Sequence, residues 1–255
     1  MLTSEFSGKT ALVTGASRGI GAATAITLAK HGMKRVVLHY NGYKTGAEET
    51  QAAVRAEGAQ CDVLQADLAT VTGIHGFVRD LKTVAPAVDV LINNAGHLVR
   101  RGRLLEMNDE LFDAVMNLNV KSMWFVTQAA APHMMEQKWG IVVNVSSIAA
   151  RNGGGPGATI YAAAKAAVAT ITKGLAKELA PKGIRVNAVS PGTVDNYFHE
   201  KHSTREILDN VIAQTPAGRL GTNEEVADTI LFLCSDASRY TYGQTLEING
   251  GMYMV

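Results

Sequence analysis

The segment from Thr10 to Lys30 constrains the fold of this chain most strongly. Thr10 to Thr14 is a short apolar run with β-branched residues, glycines follow at positions 15, 19 and 21, and Ala22 to Lys30 favours a helix. Glycines let the backbone approach a pyrophosphate, and a helix N-terminus presents free N–H groups to it. The spacing differs from G-x-G-x-x-G, and a glycine loop can also be a plain turn. Its place between a strand and a helix favours dinucleotide binding.

The rest of the chain alternates strand-like and helix-like segments. This alternation predicts right-handed βαβ units and an α/β fold, in which helices cover both faces of a parallel sheet. Ligands bind beyond the carboxyl ends of such strands, so Asp67 and Asn93 are site candidates, although each could equally be a turn or cap residue. Nothing resembles a linker, and we expect one domain over residues 1–255. The predicted strands are 10–14, 35–40, 61–66, 88–92, 141–145, 183–189 and 245–248, and the predicted helices are 22–30, 47–57, 70–84, 109–137, 160–180 and 224–235.

The strand from Arg35 to Tyr40 bears on the type of cofactor. A dinucleotide fold that selects NAD typically places Asp or Glu about 20 residues beyond the glycine loop, where it binds the ribose 2′-hydroxyl. Here the first carboxylate after the strand is Glu48. Arg18 and Lys44 could instead bind a 2′-phosphate, although both could also be ordinary exposed residues. We therefore expect NADP(H), with NAD(H) as the less favoured alternative.

Tyr161 and Lys165 form the candidate acid/base pair. Residues four apart on a helix share a face, which would place an ammonium beside a phenol. A fixed cation favours the phenolate and would lower the pKa of Tyr161 from about 10 towards the useful range for catalysis. Ser146 and Ser147 end a buried strand at the same sheet edge. The same spacing on an alanine-rich helix also suits a solvated or interface face, so the pair by itself does not establish a catalytic role.

Asn119 falls near the middle of the predicted helix 109–137. Asparagine is unfavourable inside a helix because its side chain competes for backbone groups, so its presence there is informative.

Taken in order, these motifs resemble the short-chain dehydrogenase/reductase family, and the resemblance covers essentially the whole chain. It rests on Thr14 to Gly21, Asp67, Asn93 to Gly96, Asn119, Ser147, Tyr161, Lys165 and Pro191-Gly192. It implies one doubly wound Rossmann-type domain with a seven-stranded parallel sheet, and a homotetramer. The implied catalytic tetrad is Asn119, Ser147, Tyr161 and Lys165. The implied cofactor-binding residues are Gly15, Ser17, Arg18, Gly19, Ile20, Gly21, Tyr40, Asp67, Asn93, Ala95, Gly96, Tyr161, Lys165, Pro191, Gly192 and Val194.

The resemblance also implies a reaction, in which hydride passes between NADP(H) and a ketone or secondary alcohol. Tyr161 would exchange a proton with the substrate oxygen, and Ser147, or less favourably Ser146, would hold that oxygen. Lys165 would lower the pKa of Tyr161 and bind the nicotinamide ribose, while Asn119 would support Lys165 through a water. The chain departs from the family pattern of Pro-Gly, three residues and Thr, because Asn196 stands at the threonine position.

Composition argues against several classes of function. A net charge of +1 with scattered Lys and Arg is not the footprint of a nucleic-acid-binding protein. No apolar run approaches the roughly 18 residues of a membrane span, and the N-terminal segment lacks the pattern of a signal peptide. Cys61 and Cys234 fit neither a disulfide framework nor a metal site, and we expect buried thiols. We expect a soluble, cytoplasmic protein with no membrane or nucleic-acid partner.

The predicted substrate lid, about residues 194–214, is polar and indicates a small polar carbonyl or alcohol substrate. The spacing of His199 and His202 is compatible with a metal site, but no further ligand cluster supports one, and we expect no metal. Residues 215–219 and 249–252 resemble the 3-oxoacyl-[acyl carrier protein] reductase branch. Lys138 and Lys182 match its basic positions, while Glu136 weakens that patch. This reductase activity is the alternative function, and a non-catalytic NADP-binding sensor, which an intact tetrad disfavours, is another.

Overall fold

Seven parallel strands and the helices between them build the fold, and the computed structural model describes residues 6–198 and 203–254. The strands are β1 Thr10–Val13, β2 Arg35–Tyr40, β3 Gln60–Gln65, β4 Val90–Asn93, β5 Gly140–Val145, β6 Ile184–Pro191 and β7 Thr245–Ile248. The helices are α1 Gly19–Lys30, α2 Lys44–Ala56, α3 Val71–Val84, α4 Asp109–Met116, α5 Ser122–Gln137, α6 Ala149–Asn152, α7 Thr159–Leu179, α8 Arg205–Gln214 and α9 Asn223–Cys234. The predicted α/β fold with a seven-stranded parallel sheet is confirmed.

The chain enters this sheet in the middle. β1, β2 and β3 succeed one another towards one edge, and the chain then returns so that β4 pairs with the other side of β1. β5, β6 and β7 extend the sheet towards the opposite edge. The loops after β1 and β4 therefore diverge, and a reversal of strand order of this kind opens a ligand crevice at the carboxyl ends of the strands.

β5 illustrates why helices cover both faces of the sheet. All six of its residues are buried. Ile141 and Val143 belong to one hydrophobic cluster, which includes Leu28 of α1, whereas Val142 belongs to a second cluster with Leu175 of α7. Complete burial of an aliphatic side chain contributes about 1.5–3 kcal/mol. Strands that are apolar on both faces therefore stabilise a sheet only when helices cover each side.

The predicted single helix 109–137 is wrong in its middle. α4 ends at Met116, a π-helical segment runs from Asn117 to Lys121, and α5 begins at Ser122. The side-chain Nδ2 of Asn119 donates to the carbonyl of Val115 at 2.8 Å. In an α-helix, that carbonyl would accept from the backbone N–H of residue 119. The side chain takes the place of this N–H, so the regular hydrogen-bond pattern of the α-helix is interrupted for one turn.

A capping box begins α9, and both cysteines are buried thiols, as the sequence predicts. Thr222 caps α9, because its Oγ1 accepts from the N–H of Glu225 at 3.2 Å and the Glu225 carboxylate accepts from the N–H of Thr222 at 2.9 Å. Cys61 and Cys234 are buried thiols, and burial raises the pKa of each to about 12. Within the described part of the chain, no helix combines the length and apolarity that a membrane span requires.

Candidate active site

A cleft of about 390 Å³ opens at the carboxyl ends of the strands, where the strand order reverses. Its walls come from the loops after β1, β2, β3, β4, β5 and β6, from Leu118 and from the start of α7. The predicted residues that line it are Gly15, Ser17, Arg18, Gly19, Ile20, Ala95, Gly96, Tyr161, Lys165, Pro191, Gly192 and Val194. The predicted residues outside its lining are Gly21, Tyr40, Asp67, Asn93, Asn119 and Ser147.

The glycine loop is shaped by close backbone approaches. Gly15 has a φ of +67°, and a Cβ there would lie 2.9 Å from the Cα of Ala95. A Cβ on Gly21 would overlap the carbonyl of Gly15, so Gly21 serves the packing of α1 against the loop without lining the cleft. Gly19 begins α1 with a φ of +61°, and no side chain caps the first turn. The loop thus leaves a cradle of backbone N–H groups, which fits a pyrophosphate.

Asn93, a predicted cofactor-binding residue, does not line the cleft, whereas the next residue does. Asn93 is buried, and its Nδ2 donates to Oδ1 of Asn144 at 2.9 Å, within the protein interior. Asn94 lines the cleft instead, and its Nδ2 donates to the carbonyl oxygens of Thr14 and Gly15, each at 2.9 Å. Consecutive strand residues face opposite sides. The second residue of the Asn-Asn pair therefore ties the loop after β4 to the glycine loop.

At the predicted cofactor-binding residue Tyr40, the neighbouring residue again takes the place in the cleft lining. His39 lines the cleft, whereas Tyr40 does not. Nδ1 of His39 accepts from the N–H of Gly15 at 3.1 Å, and Nε2 lies 3.1 Å from the carbonyl of Ala66. Burial lowers the pKa of His39 to about 4, so the ring is neutral and carries its proton on Nε2. His39 is a buried link between β2 and the glycine loop, which the sequence analysis did not single out.

Asp67 behaves as the turn residue that its sequence context also allowed. Its Oδ1 accepts from the backbone N–H of Ala69 at 3.0 Å. The next residue, Leu68, lines the cleft in its place. The predicted contact between the Asp67 side chain and the cofactor therefore has no support from the lining of the cleft.

Arg18 lies at the end of the cleft that is bordered by the loop after β2. Its guanidinium carbon is 3.8 Å from the ring centroid of Tyr43 and 4.0 Å from that of Tyr197, and both rings line the cleft. Lys44, the other predicted cation, pairs with Glu48 at 3.5 Å and has 73% of its side chain exposed. Arg18 is therefore part of the cleft wall, and Lys44 is not.

The structure separates the roles of the two serines. Oγ of Ser146 is buried and donates to the carbonyl of Lys165 at 2.8 Å, so it fixes the backbone of α7. Ser147 is instead the hydroxyl whose hydrogen bonding acts on the pKa of Tyr161, and its Oγ accepts from the N–H of Ala149 at 3.2 Å. Ser147, rather than Ser146, is therefore the serine hydroxyl next to the Tyr161 phenol.

The prediction that Lys165 lowers the pKa of Tyr161 is not met in this structure. Burial raises the pKa of Tyr161 to about 12, and the hydrogen bond with Ser147 acts in the opposite direction. Nζ of Lys165 lies 5.7 Å from the Tyr161 ring centroid and donates to the carbonyl of Val145 at 2.8 Å. Burial lowers the pKa of Lys165 to about 8. Desolvation thus outweighs attraction between the two groups.

Asn119 stands behind Lys165. Its Nδ2 donates to the carbonyls of His97 and Val115, each at 2.8 Å, and its buried Oδ1 has no partner among the described residues. A Cβ on Gly96 would lie 2.5 Å from Nζ of Lys165 and 2.7 Å from Oδ1 of Asn119. Both polar atoms therefore border the space beside Gly96, and the unpaired acceptor fits the predicted water-mediated support of Lys165.

The described start of the lid is anchored by Asn196, which stands where the family pattern has threonine. Its Nδ2 donates to Oδ1 of Asn223 at 3.2 Å, and its Oδ1 accepts from the N–H of Phe198 at 3.1 Å. His199 and His202 lie outside the described residues. Elsewhere in the chain, over residues 6–198 and 203–254, no group of three potential ligands could hold a metal ion.

Comparison with known proteins connects this geometry to a family. The family described as enoyl-(acyl carrier protein) reductase matches residues 15–253. A 3-oxoacyl-[acyl-carrier-protein] reductase, FabG of Staphylococcus aureus, is 38% identical over 246 residues, which are 96% of this chain and 98% of the relative. The chain belongs to the short-chain dehydrogenase/reductase family. It is an oxidoreductase, as the resemblance predicted.

Solved structures of short-chain dehydrogenases/reductases extend the comparison. The NADH-dependent reductase A1-R′, complexed with NAD, aligns with a TM-score of 0.86 at 34% identity and 100% coverage of both chains. A gluconate 5-dehydrogenase from Burkholderia cenocepacia, in complex with NADP and tartrate, aligns with a TM-score of 0.86 at 32% identity, covering 96% of this chain and 95% of that one. Family members of equal structural similarity thus bind NAD in one case and NADP in the other.

Proposed function

We propose that this protein is an NADP(H)-dependent oxidoreductase that interconverts a ketone and a secondary alcohol on a small polar substrate. The observation that carries the proposal is Tyr161 in the wall of a cleft with a glycine cradle, with the Ser147 hydroxyl acting on the pKa of its phenol. When bound, the cofactor supplies or accepts the hydride, and the chain supplies proton transfer and placement.

Tyr161 is the proposed general acid. A phenol with a pKa of about 12 is protonated throughout the physiological range, which suits donation of a proton to a carbonyl oxygen. Ser147 holds the same oxygen through its hydroxyl. Lys165 stabilises the phenolate that forms, and Oδ1 of Asn119 holds a water beside Gly96 through which a proton can pass to Lys165. In the oxidative direction, Tyr161 takes the proton from the alcohol.

Arg18 supports the choice of NADP(H) over NAD(H). Arg18 belongs to the glycine loop, and its cationic side chain lines the cleft beside the loop after β2. NAD-selective folds carry a carboxylate at that place. A guanidinium edge forms strong, charge-assisted hydrogen bonds with a phosphate. Calorimetric titration with NADP⁺ and NAD⁺ tests the choice directly. A clear preference for NAD⁺ would overturn it.

His97 supports a polar substrate. Its ring lines the cleft and packs edge-on against Phe198, with a centroid distance of 5.3 Å, and Phe198 lies 6.0 Å from the ring of Tyr161. Nδ1 of His97 accepts from the N–H of Val99 at 2.9 Å, which places the ring proton on Nε2 in the neutral form. Val99 adopts a φ of +64°, which is strained for a β-branched residue.

The strained turn at Val99 thus fixes the imidazole of His97 in the cleft wall, in contact with Phe198. We therefore propose that a hydroxyl or carboxylate of the substrate lies beside its carbonyl group, on the side of this polar ring. Cofactor oxidation measured on sugar ketones, acyl thioesters and aromatic ketones tests this. Equal turnover of ketones with and without a neighbouring oxygen would contradict it.

A second candidate function is reduction of 3-oxoacyl groups carried by an acyl carrier protein. Relatives with that printed name match nearly the full chain. Lys138 and Lys182 are exposed and come close together, because a Cβ on Gly183 would overlap the carbonyl of Lys138. Glu136, also exposed, still reduces the positive charge of this patch. Reversing both lysines to glutamate should raise KM for a carrier-bound thioester and leave KM for the free thioester unchanged, if this candidate is correct.

We also propose a cytoplasmic homotetramer. Phe112 of α4 and Trp124 of α5 are each 42% exposed, which is unusual for large apolar side chains on helices and suits burial between subunits. Light scattering on the purified protein tests the assembly, and a monomeric mass at micromolar concentration would contradict it.

A further inference from the structure

Two tyrosines from different parts of the chain enclose the guanidinium of Arg18. Tyr43 precedes α2, at the cofactor side of the cleft, and Tyr197 belongs to the lid, at the substrate side. Their ring centroids lie 3.8 Å and 4.0 Å from the guanidinium carbon. One arginine thus connects the two sides of the cleft by stacking on both.

The position of the Tyr43 ring is built into the fold. Gly46, in the first turn of α2, lies directly against this ring and against the carbonyl of Ser17, and a Cβ on Gly46 would overlap both. Gly46 is buried, so the ring cannot move towards α2, whereas its other side is open and 39% of Tyr43 is exposed. Tyr43 is therefore supported from the α2 side in its position beside Arg18.

The backbone next to Tyr197 is also held in place by a side-chain contact. Asn196, the preceding residue, donates to Asn223 at the start of α9, and a Cβ on Gly19 would lie 3.6 Å from Oδ1 of Asn223. The start of the lid is thus attached next to the glycine loop. Tyr197 closes over the free face of Arg18 from that attachment, and its side remains 46% exposed.

Contact with two rings restricts how Arg18 can meet an anion. The rings lie 3.8 Å and 4.0 Å from the guanidinium carbon and occupy two sides of the group, so a phosphate must approach N–H donors on the sides that stay open, which favours bidentate hydrogen bonding. An unstacked arginine loses side-chain entropy when it binds, whereas a stacked one has already lost part of it. Removal of one ring should therefore weaken binding of a 2′-phosphate specifically.

We propose that Tyr197, a residue of the substrate lid, is a determinant of cofactor selectivity, because it holds Arg18 in the orientation that binds the 2′-phosphate of NADP(H). The inference rests on the proposed use of NADP(H). It assigns to a lid residue a contribution to recognition of the distant, adenosine end of the cofactor.

Calorimetric titration of the purified protein with NADP⁺ and with NAD⁺ tests the assignment. Tyr197→Leu should weaken NADP⁺ binding about two- to fivefold, which corresponds to the loss of one cation–π contact, and leave NAD⁺ binding unchanged. Tyr197→Phe is the matched control, because it keeps the ring and should keep the affinity for both cofactors. Arg18→Ala should weaken NADP⁺ binding more, by about ten- to a hundredfold.

The outcomes separate this inference from the proposed function. If the unmodified protein prefers NADP⁺ but Tyr197→Leu leaves the ratio of the two affinities unchanged, the role of Tyr197 is overturned and the proposed function stands. An equal loss for both cofactors overturns it as well. If the unmodified protein binds NAD⁺ more tightly, the proposed cofactor and the inference both fail.

Hydrogen–deuterium exchange gives a second readout that requires no turnover. Binding energies are reciprocal, so a cofactor that uses Arg18 should in turn hold Tyr197 in place. Residues 194–198 should exchange more slowly with NADP⁺ than with NAD⁺ at saturation of each. This difference should disappear in Tyr197→Leu and persist in Tyr197→Phe. Equal protection by both cofactors in the unmodified protein would contradict the proposal.

Discussion

The glycine loop and the lid face each other across one cleft, yet different parts of the chain fix their shapes. Gly15 and Gly21 are held by backbone approaches in which no Cβ fits, so the loop has one shape. The lid begins with Asn196, Tyr197 and Phe198, whose side chains make its contacts. Backbone geometry thus defines the cofactor side, and side chains on loops define the substrate side, where a fold permits many specificities.

Tyr161→Phe offers the sharpest test of whether the two sides work separately. The ring remains, so packing against Phe198 is kept, but the proton donor is lost. Turnover should fall about 10²- to 10⁴-fold, while the calorimetric affinity for NADP⁺ stays within about twofold. Undiminished turnover would overturn the role of Tyr161.

Gly15→Ala should weaken cofactor binding and leave the substrate side of the cleft unchanged. Alanine is strained at a φ of +67°, and its Cβ would lie 2.9 Å from the Cα of Ala95. Strain of about 1–3 kcal/mol corresponds to about a 5- to 100-fold loss of cofactor affinity if it must be relieved by moving the loop. Substrate preference at saturating cofactor should not change.

The matched control for this variant is Gly174→Ala in α7. A Cβ there has nothing within 4 Å and the position is exposed, so cofactor affinity should be unchanged and helix propensity should raise stability slightly. Equal cofactor affinity in Gly15→Ala and the unmodified protein would show that the loop does not depend on its glycines.

The same contrast explains what the sequence could predict. The seven strands, their parallel arrangement and the glycine loop follow from the apolar periodicity and from the Gly and Asn residues that end several of the strands, and the structure confirms them. Asn93 and Tyr40 stand outside the cleft lining for one reason. Each lies in the correct strand end, but the residue that reaches the cleft is its neighbour, Asn94 or His39, and facing alternates with every residue.

Interactions between distant segments were beyond the reach of sequence patterns. Asn119 is recognisable as unusual inside a predicted helix, but its second bond, to the carbonyl of His97 at 22 positions' distance in the chain, follows from no local pattern. The pKa of Tyr161 depends on burial, which spacing alone does not report. The enclosure of Arg18 likewise joins Tyr43 to Tyr197, residues that no motif connects.

The dependence of carbonyl reduction on pH distinguishes the two accounts of the acid/base pair. With Tyr161 protonated up to about pH 12, the group that titrates first is Lys165, whose pKa burial lowers to about 8. Reduction needs the ammonium, so kcat/KM should be level below pH 8 and about tenfold lower near pH 9 than near pH 7. A decline that begins near pH 6 would instead support the sequence-based prediction that Lys165 lowers the pKa of Tyr161.

The smallest expected effect tests the substrate side, at His97. Asparagine at this position keeps a short acceptor for the N–H of Val99 but lacks the donor at the Nε2 position, whereas glutamine keeps a donor at that reach. His97→Asn should lower kcat/KM about two- to tenfold for ketones with a neighbouring hydroxyl or carboxylate, and leave simple ketones unchanged. His97→Gln should restore part of the loss. Since His97 also supports Asn119 through its carbonyl, a loss shared by all ketones would mean that the residue acts on the tetrad and not on the substrate.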